Sequence, residues 1–312
     1  MKFANYITKI GENMMSEVRL SDIGSITDMS GEQLLHMWNV DVTKGTRPLW
    51  NHCHMNFEIT MVDSGKGIYT IGETEHEMSC GDIFVFSGNE HHCITSVKSE
   101  KLRITNLHFE PRYLMKNFVD EESAINANFC FLHSKSFKNR IEAEQTGDIP
   151  YYFRCIADEL SSHDTGYAVA VKSMLNLILV TLIRKHGYLD DKHGISTNRE
   201  QIESISRVIT YIDEHFDKKL TLEAISAEAG LSPNYLSSLF RKISGITLWN
   251  YVNSKRIEKA VKLITDENIK ENMIDIAAEC GFNNTANFNK TFKTVTGMTP
   301  KEYRNNAHLI LG

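Results

Sequence analysis

The sequence lacks the features that mark a secreted, membrane-spanning or strongly basic protein. Its 312 residues carry 34 Lys and Arg against 40 Asp and Glu, a formal net charge of −6. The six cysteines form no Cys-x-x-Cys pair, and the first twenty residues hold no apolar stretch of signal-peptide length. The longest apolar run, 174–183, is broken by Asn176 and Thr181 and is too short to cross a bilayer. We therefore expect a reduced, cytoplasmic protein with no membrane partner.

The missing positive charge does not exclude nucleic acid as a partner. Residues 200–312 hold 14 basic and 14 acidic side chains, so the whole acidic excess lies in residues 1–199. Non-specific attraction to DNA depends on how basic groups cluster rather than on the total charge. The length is more informative, because single cores rarely grow beyond about 250 to 300 residues. Two domains are therefore predicted.

Residues 50–110 are predicted to form β structure. Short runs of β-branched and aromatic residues, at 57–62, 67–71, 82–86 and 102–109, are separated in several places by turns that contain glycine. Short strands at this spacing are typical of an antiparallel barrel or sandwich.

Residues 150–186 have the periodicity of a helix instead. Apolar residues recur at spacings of three or four, at Tyr167, Val171, Leu175, Ile178 and Leu182. Such a seam either packs on the barrel of the same chain or forms a coiled-coil contact between two protomers, and two heptads do not decide between these. The polar segment 187–198, with two glycines, is predicted to be a linker.

The last third of the sequence contains one pattern twice. Before a turn, Leu222, Ile225 and Gly230 recur as Met273, Ile276 and Gly281, at an offset of 51. After the turn, Leu236, Phe240, Ile243 and Gly245 recur as Phe288, Phe292, Val295 and Gly297, at an offset of 52. The turn glycines tolerate positive φ, and Ser232 and Asn284 are suited to cap the helices that follow. The pattern predicts two helix-turn-helix units, the second with one extra residue in its turn.

The second helix of such a unit enters the major groove of DNA, where each base pair displays a distinct set of donors and acceptors. Removing the apolar positions leaves a polar face on each helix. These candidate DNA-binding residues are Asn234, Ser237, Ser238, Arg241 and Lys242 in the first, and Thr285, Ala286, Asn289, Lys290 and Lys293 in the second. Asn289 is suited to adenine, Lys290 to guanine and Ala286 to a thymine methyl group. Arg241, Lys242 and Lys293 lie further along and are better placed for phosphates.

A helix over 248–264 is predicted to connect the two units. It carries Lys255, Lys259 and Lys262 on one side. This basic stripe is either a second phosphate-binding surface or an ordinary solvated helix face.

Residues 201–306 resemble the DNA-binding domain of the AraC/XylS family of bacterial transcription regulators. The matching stretches are 231–245, 251–260, 276–282 and 288–300, with Tyr303 and Arg304. The resemblance implies two helix-turn-helix subdomains on a rigid linker helix, which read successive major grooves on one face of the DNA. One departure is that the first recognition helix lacks the arginine that many relatives carry, so we expect it to contribute less base specificity.

The N-terminal half resembles the cupins. Residues 52–58 followed by Gly65 resemble the first cupin motif, and 81–92 the second, with Ser87 and Gly88 where prolines are usual. In metal-binding cupins the residues corresponding to His52, His54, Glu58 and His92 would converge inside the barrel, and three imidazoles with a carboxylate suit a divalent transition metal. We take these four as candidate effector-binding residues, with a divalent metal as the alternative occupant and no other cofactor expected.

The predicted architecture is an α+β protein of two domains. A cupin-like β-barrel with helices spans 1–186, a linker 187–200, and an all-α domain of two helix-turn-helix units 201–306. The predicted function is sequence-specific transcription regulation, without enzymatic activity, under control of a small-molecule effector such as a sugar or related metabolite. Expected partners are double-stranded promoter DNA, the effector, a second copy of the chain, and RNA polymerase if the regulator activates. The alternatives are a metal-dependent cupin enzyme fused to a DNA-binding module, and a constitutive regulator with an inactive sensor pocket.

Overall fold

Two antiparallel sheets form the N-terminal half of the protein. The computed structural model describes residues 18–27, 33–45, 56–87, 90–110, 113, 137–188, 199–244, 246–266, 269 and 271–305. The strands are β1 (Val18–Thr27), β2 (Gln33–Thr43), β3 (Phe57–Ser64), β4 (Lys66–Ile71), β5 (Thr74–Ser79), β6 (Ile83–Phe86), β7 (His92–Val97), β8 (Lys101–Phe109) and β9 (Arg140–Ile141). The larger sheet has the order β1-β2-β8-β3-β6-β9 and the smaller one β5-β4-β7.

The two faces of the larger sheet have different neighbours, because side chains alternate along each strand. On one face Val62, Phe84 and Ile104 join Tyr69 and other residues of the smaller sheet in a buried cluster, which is the interior of the barrel. On the other face residues such as Phe57 belong to a cluster that continues into the helices. The predicted barrel-like α+β fold is therefore confirmed.

The runs at 57–62, 67–71, 82–86 and 102–109 correspond to β3, β4, β6 and β8, whereas β1, β2, β5, β7 and β9 were not predicted as separate strands. In β1 only two of ten residues are buried, so the strand lacks a clear apolar alternation. In β2 the four consecutive residues 34–37 are all buried. A strand buried on both faces at one end does not show the two-residue periodicity of a half-exposed strand.

Two helices cover the outer face of the larger sheet, α1 (Ile149–Ser162) and α2 (Tyr167–His186). In α2 the predicted seam points inward, since Val171, Leu175, Ile178 and Leu182 are fully buried. The seam therefore packs against its own domain and does not form a coiled-coil contact between two protomers. By length and composition alone α2 could cross a membrane, but a helix whose apolar side lies in the core of its own domain satisfies the same criterion.

The C-terminal part is helical. Its helices are α3 (Arg199–His215), α4 (Leu222–Ala229), α5 (Pro233–Ser244), α6 (Leu248–Thr265), α7 (Met273–Glu279), α8 (Thr285–Thr296) and α9 (Pro300–Asn305). The predicted units are α4 with α5 and α7 with α8. Their turn glycines have positive φ, +68° at Gly230 and +83° at Gly281. The predicted cap is also present, because Asn284 Oδ1 accepts a hydrogen bond from the Asn287 amide at 2.8 Å.

Both units close around aromatic residues predicted to point inward. Phe240 is buried in the first unit, and Phe288 and Phe292 are buried in the second. The connecting helix α6 contributes Val252 to the first cluster and Ile257 to the second. Both units therefore share one helix as part of their cores.

Helix α6 is also hydrogen-bonded to residues 216–218, which follow α3. Arg256 donates to the carbonyl oxygens of Phe216 at 2.7 Å and Lys218 at 3.0 Å. Lys259 Nζ lies 3.1 Å from Asp217 Oδ2 and 3.5 Å from Glu279 Oε1.

The predicted basic stripe is wrong as a phosphate-binding surface. Lys255 is buried, and Lys259 is held by Asp217, which follows α3, and by Glu279 of the second helix-turn-helix unit. Of the three lysines, only Lys262 is exposed. The stripe is mainly structural, and the spacing of lysines alone does not reveal which of them face acidic neighbours.

Candidate functional site

A cluster of polar side chains occupies one end of the barrel interior. Glu58 of β3 lies at its centre. Its Oε2 is 3.1 Å from Nε2 of His92 in β7 and 2.6 Å from Nε2 of His108 in β8. Its Oε1 accepts a hydrogen bond from the Thr60 hydroxyl at 2.6 Å. The Glu58 side chain is only 2% exposed, so these contacts replace the water that the carboxylate loses on burial.

Strand register brings this cluster together. Glu58 is paired with His108, and Thr60 with Asn106. Residues two apart in a strand share a face, so all four point into the barrel. The Thr60 hydroxyl also lies 2.9 Å from Asn106 Oδ1. The other end of the same face is apolar, which confines the polar groups to one end.

His92 is built to carry a positive charge. Its Nδ1 lies 2.8 Å from the carbonyl oxygen of Glu90, and its Nε2 faces the Glu58 carboxylate. Both neighbours are hydrogen-bond acceptors, so His92 can bond to both only when each of its ring nitrogens carries a proton. Burial by itself lowers the pKa of His92, but the charge and hydrogen bond of Glu58 outweigh it, and the pKa lies above its ordinary value of 6.5.

Aromatic rings surround the cluster. Phe86 stacks on His92 with ring centroids 4.2 Å apart. The Trp38 ring meets the edge of His108 at 4.4 Å and stacks on His36 at 4.7 Å. His36 in turn bonds to Asp22 Oδ1 at 2.9 Å. The site therefore combines a carboxylate, an amide and imidazoles with a tryptophan face.

The described residues do not fit a metal-binding site. A metal ligand needs an unprotonated ring nitrogen, whereas both nitrogens of His92 face acceptors, and His108 is directed at the same oxygen of Glu58. Within the described ranges, no group of three His, Cys, Asp or Glu is arranged to hold a metal ion. No chemistry at this site is therefore assigned to a metal.

The structure brings together two of the four residues predicted for this site. Glu58 and His92 are in contact, whereas His52 and His54 lie outside the described residues. His108 and Asn106 also belong to the site and were not predicted from the sequence. Their signal was present, since both are polar residues at alternate positions of β8, on the face that also carries Leu102 and Ile104.

The His92–Glu58 pair predicts a pH-dependent stability. A raised pKa in the folded state contributes stability that is complete below the unfolded value near 6.5 and is lost as pH rises through the folded value. We therefore expect His92→Asn to lower the free energy of unfolding by about 1–3 kcal/mol more at pH 6 than at pH 9. Urea unfolding of both proteins across this range measures the difference. A pH-independent difference would show that folding does not raise the pKa of His92.

The predicted reading faces are accessible on both recognition helices. On α5 the exposed residues include Asn234, Ser237, Ser238, Arg241 and Lys242. On α8 they include Ala286, Asn289, Lys290 and Lys293, while Thr285 is half-buried at the start of the helix. The sequence therefore separated the inward from the outward positions correctly.

One exposed aromatic residue on α5 was not predicted. Tyr235 is 44% exposed. Its hydroxyl accepts a hydrogen bond from Gln201 Nε2 at 2.7 Å, which fixes the ring beside the reading face. The first helix therefore presents a large side chain in addition to its short neutral ones.

A ligand-binding barrel joined to a pair of helix-turn-helix units defines a one-component transcription regulator, and sequence comparisons agree. Residues 46–179 match the family described as AraC-like ligand binding domain, and residues 225–306 match the family described as Helix-turn-helix domain. The chain belongs to the AraC/XylS family of transcription regulators, with a ligand-binding domain and a DNA-binding domain.

Relatives and solved structures are similar over most of the chain. The HTH-type transcriptional activator RhaR of Salmonella schwarzengrund is 24% identical over 256 residues, which are 81% of this chain and 86% of RhaR. Two structures of ToxT from Vibrio cholerae share the fold at 15% identity. The one with a bound unsaturated fatty acid has a TM-score of 0.54 and covers 87% of this chain and 95% of ToxT. The one bound to a naphthalenyl butenoic acid has a TM-score of 0.57 and covers 89% and 100%.

Proposed function

We propose that this protein is a cytoplasmic regulator that binds one promoter through both helix-turn-helix units under control of a small hydroxylated effector. The observation that carries the proposal is the pair of exposed polar faces on α5 and α8, held on the shared helix α6. We propose a sensor domain over residues 1–186 and a linker over 187–200. The tandem helix-turn-helix domain, called the reader below, spans 201–306.

The proposed reading residues divide into two groups. Asn234, Ser237, Ser238, Ala286, Asn289 and Lys290, with Thr285 beside them, contact bases. Arg241, Lys242 and Lys293 contact phosphates, which position the reader without selecting a sequence. Sequence-specific binding is tested by measuring the affinity of the full chain for its own upstream promoter fragment and for random DNA across a salt series. Equal affinity for the two DNAs at every salt concentration would contradict it.

The polar end of the barrel supports a sugar or a related metabolite as the effector. Glu58, Asn106 and Thr60 offer acceptors and donors to hydroxyl groups, and Trp38 offers an apolar ring face. An unsaturated fatty acid, the ligand of the ToxT structure, would instead require a long apolar channel. We propose that the effector contacts Glu58, His92 and His108, together with His52 and His54.

A thermal-shift screen with sugars, uronates and unsaturated fatty acids distinguishes the two effector classes. A ligand at one hundred times its Kd stabilises the folded state by about 2.7 kcal/mol, which is a shift of about 5–10 °C for a domain of this size. We expect such a shift from one hydroxylated compound and its loss in Glu58→Gln. A shift from fatty acids alone would contradict the proposed class, and no shift from any compound would favour the constitutive regulator.

We propose no enzymatic role for the barrel. In the arrangement described above, His92 and His108 direct their Nε2 atoms at Glu58 rather than at a substrate or metal position. The competing proposal, a metal-dependent cupin enzyme fused to a DNA-binding module, requires stoichiometric metal in protein purified without chelators. Elemental analysis of such protein separates the two.

We further propose a homodimer formed by the outer face of α2, with RNA polymerase as an additional partner if the protein activates transcription. The inner seam of α2 is occupied, but Val169 is 72% exposed and Leu177 46% exposed on the outer side. The two residues are about two helical turns apart, so both can contact one helix of a second copy.

Leu177→Glu is expected to convert the dimer into a monomer, because it places a charge in the centre of the proposed contact. Lys185→Glu changes the charge of the same helix by a larger amount but lies near its end, and it should leave the dimer intact. Sedimentation velocity of both variants and the wild-type protein measures the outcome. A wild-type monomer, or a Leu177→Glu dimer, would contradict the proposed interface.

A further inference from the structure

An ion pair links the sensor to the reader. Lys255 Nζ of α6 lies 3.5 Å from Oε1 of Glu110, the residue that follows β8. The two side chains are only 10% and 14% exposed. Burial strengthens the attraction between opposite charges relative to the same pair in water. This contact is therefore more than a surface salt bridge.

Lys255 has carboxylates from both domains around it. Its Nζ is also 3.7 Å from Asp213 Oδ1 and 3.6 Å from Glu258 Oε2, both in the reader. The Tyr251 hydroxyl donates to the same oxygen of Asp213 at 3.0 Å. Removing the Glu110 charge therefore leaves Lys255 compensated within the reader. The contact with Glu110 can open without leaving a buried lysine unpaired.

Strand β8 connects this ion pair to the candidate effector site. His108, which bonds to Glu58, is two residues before Glu110. The strand is held on both sides by ladders to β2 and β3 as far as Phe109, and the Glu110 amide donates to the Leu34 carbonyl oxygen at 2.8 Å. His108 and Glu110 are therefore joined through a single intervening residue, Phe109, in hydrogen-bonded backbone.

We propose that the Glu110–Lys255 contact is the latch through which occupation of the Glu58 site controls the placement of the reader. The inference rests on the proposed function, since it assigns the regulation of that site. A hydroxylated effector that bonds to Glu58 competes with His108 for the same carboxylate. Displaced His108 moves the end of β8, and Glu110 leaves Lys255. Because the reading faces of α5 and α8 are exposed while the latch is closed, the latch controls their orientation and does not cover them.

Amide hydrogen exchange of the full-length protein tests the latch without DNA or effector. In Glu110→Gln, which keeps the side-chain volume, we expect exchange in peptides from α6 to be about tenfold faster. Glu258→Gln is the matched control, because it removes a Lys255 contact of similar length, 3.6 Å, that stays within the reader. Faster exchange in Glu258→Gln to the same extent, or none in Glu110→Gln, would overturn the latch.

The coupling to the sensor site is tested by Glu58→Gln. We expect this change to accelerate exchange in α6 as well, and the double variant Glu58→Gln/Glu110→Gln to exchange no faster than Glu110→Gln alone. Asp82→Asn controls for general weakening of the barrel, since Asp82 bonds to Arg140 at 3.0 Å, in another part of the same domain. Multiplicative effects in the double variant, or equal acceleration by Asp82→Asn, would overturn the coupling. None of these exchange measurements uses DNA. A protein that does not bind its promoter would therefore contradict the proposed function, whatever the exchange measurements show for the latch.

Discussion

Gly281→Ala is expected to destabilise the reader by about 2–4 kcal/mol, because two costs add at this position. Gly281 has a φ of +83°, a conformation that L-residues rarely adopt. A Cβ atom there would also lie 2.7 Å from the carbonyl oxygen of Asp217, which is fixed backbone. The Asp217 segment would have to move, although the bonds from Arg256 and Lys259 hold it against α6. Urea unfolding and promoter affinity should both show the loss.

Gly230→Ala provides the matched control in the first unit. Gly230 has a similar φ of +68°, but a Cβ atom at this position would meet nothing within 4 Å. We therefore expect only the conformational cost, about 1 kcal/mol. If the two substitutions cost the same, close packing between the second turn and the Asp217 segment does not stabilise the reader.

The second large effect is expected at Lys290, where alanine should lower affinity by about 10- to 100-fold for the preferred sequence and little for sequences changed at one base pair. Lys290 is exposed on the outer face of α8, next to Asn289 and about one turn before Lys293. Its ammonium group can donate to guanine O6 and N7 in the major groove.

Lys293→Ala is the comparison for this prediction. We expect it to weaken binding to all sequences alike and to reduce the dependence of affinity on salt by about one counterion, as loss of one phosphate contact does. Measuring both variants against a panel of single-base operator changes separates the two roles. Equal and uniform losses from both lysines would contradict the assigned reading face.

The reader was predictable because its pattern is local. The 51- and 52-residue offsets fixed which positions of α8 point outward, and the inserted residue placed Asn284 at the cap that it occupies in the structure. Burial of Phe288 and Phe292 followed from the same register. Helix periodicity and turn chemistry depend on residues a few positions apart, so the sequence displays them directly.

The parts that were missed depend on contacts between distant residues. His108 reaches Glu58 across 50 positions of sequence, through the pairing of β8 with β3. Lys255 was predicted only as one of three lysines of a basic stripe, whereas Glu110, 145 residues earlier in the sequence, lies beside it. Strand β2 gave no alternating signal because one end is buried on both sides. Such contacts are fixed by the packing of whole elements rather than by local spacing.

The structure also sharpens the difference between the two reading units. The first presents Asn234, Ser237 and Ser238, which are short and neutral, beside the fixed ring of Tyr235. The second presents Asn289 and Lys290, which are suited to bidentate or charged contacts with bases. We therefore expect the second unit to contribute most of the base specificity and the first to contribute mainly position.

A hydroxyl-radical footprint of the full-length protein on its strongest operator shows whether both units of one chain bind DNA together. We predict protection of two adjacent stretches on one face of the duplex, with centres about 10 base pairs apart, as for recognition helices in successive major grooves. Protection confined to a single helical turn, or the same weak protection on every sequence, would contradict the account.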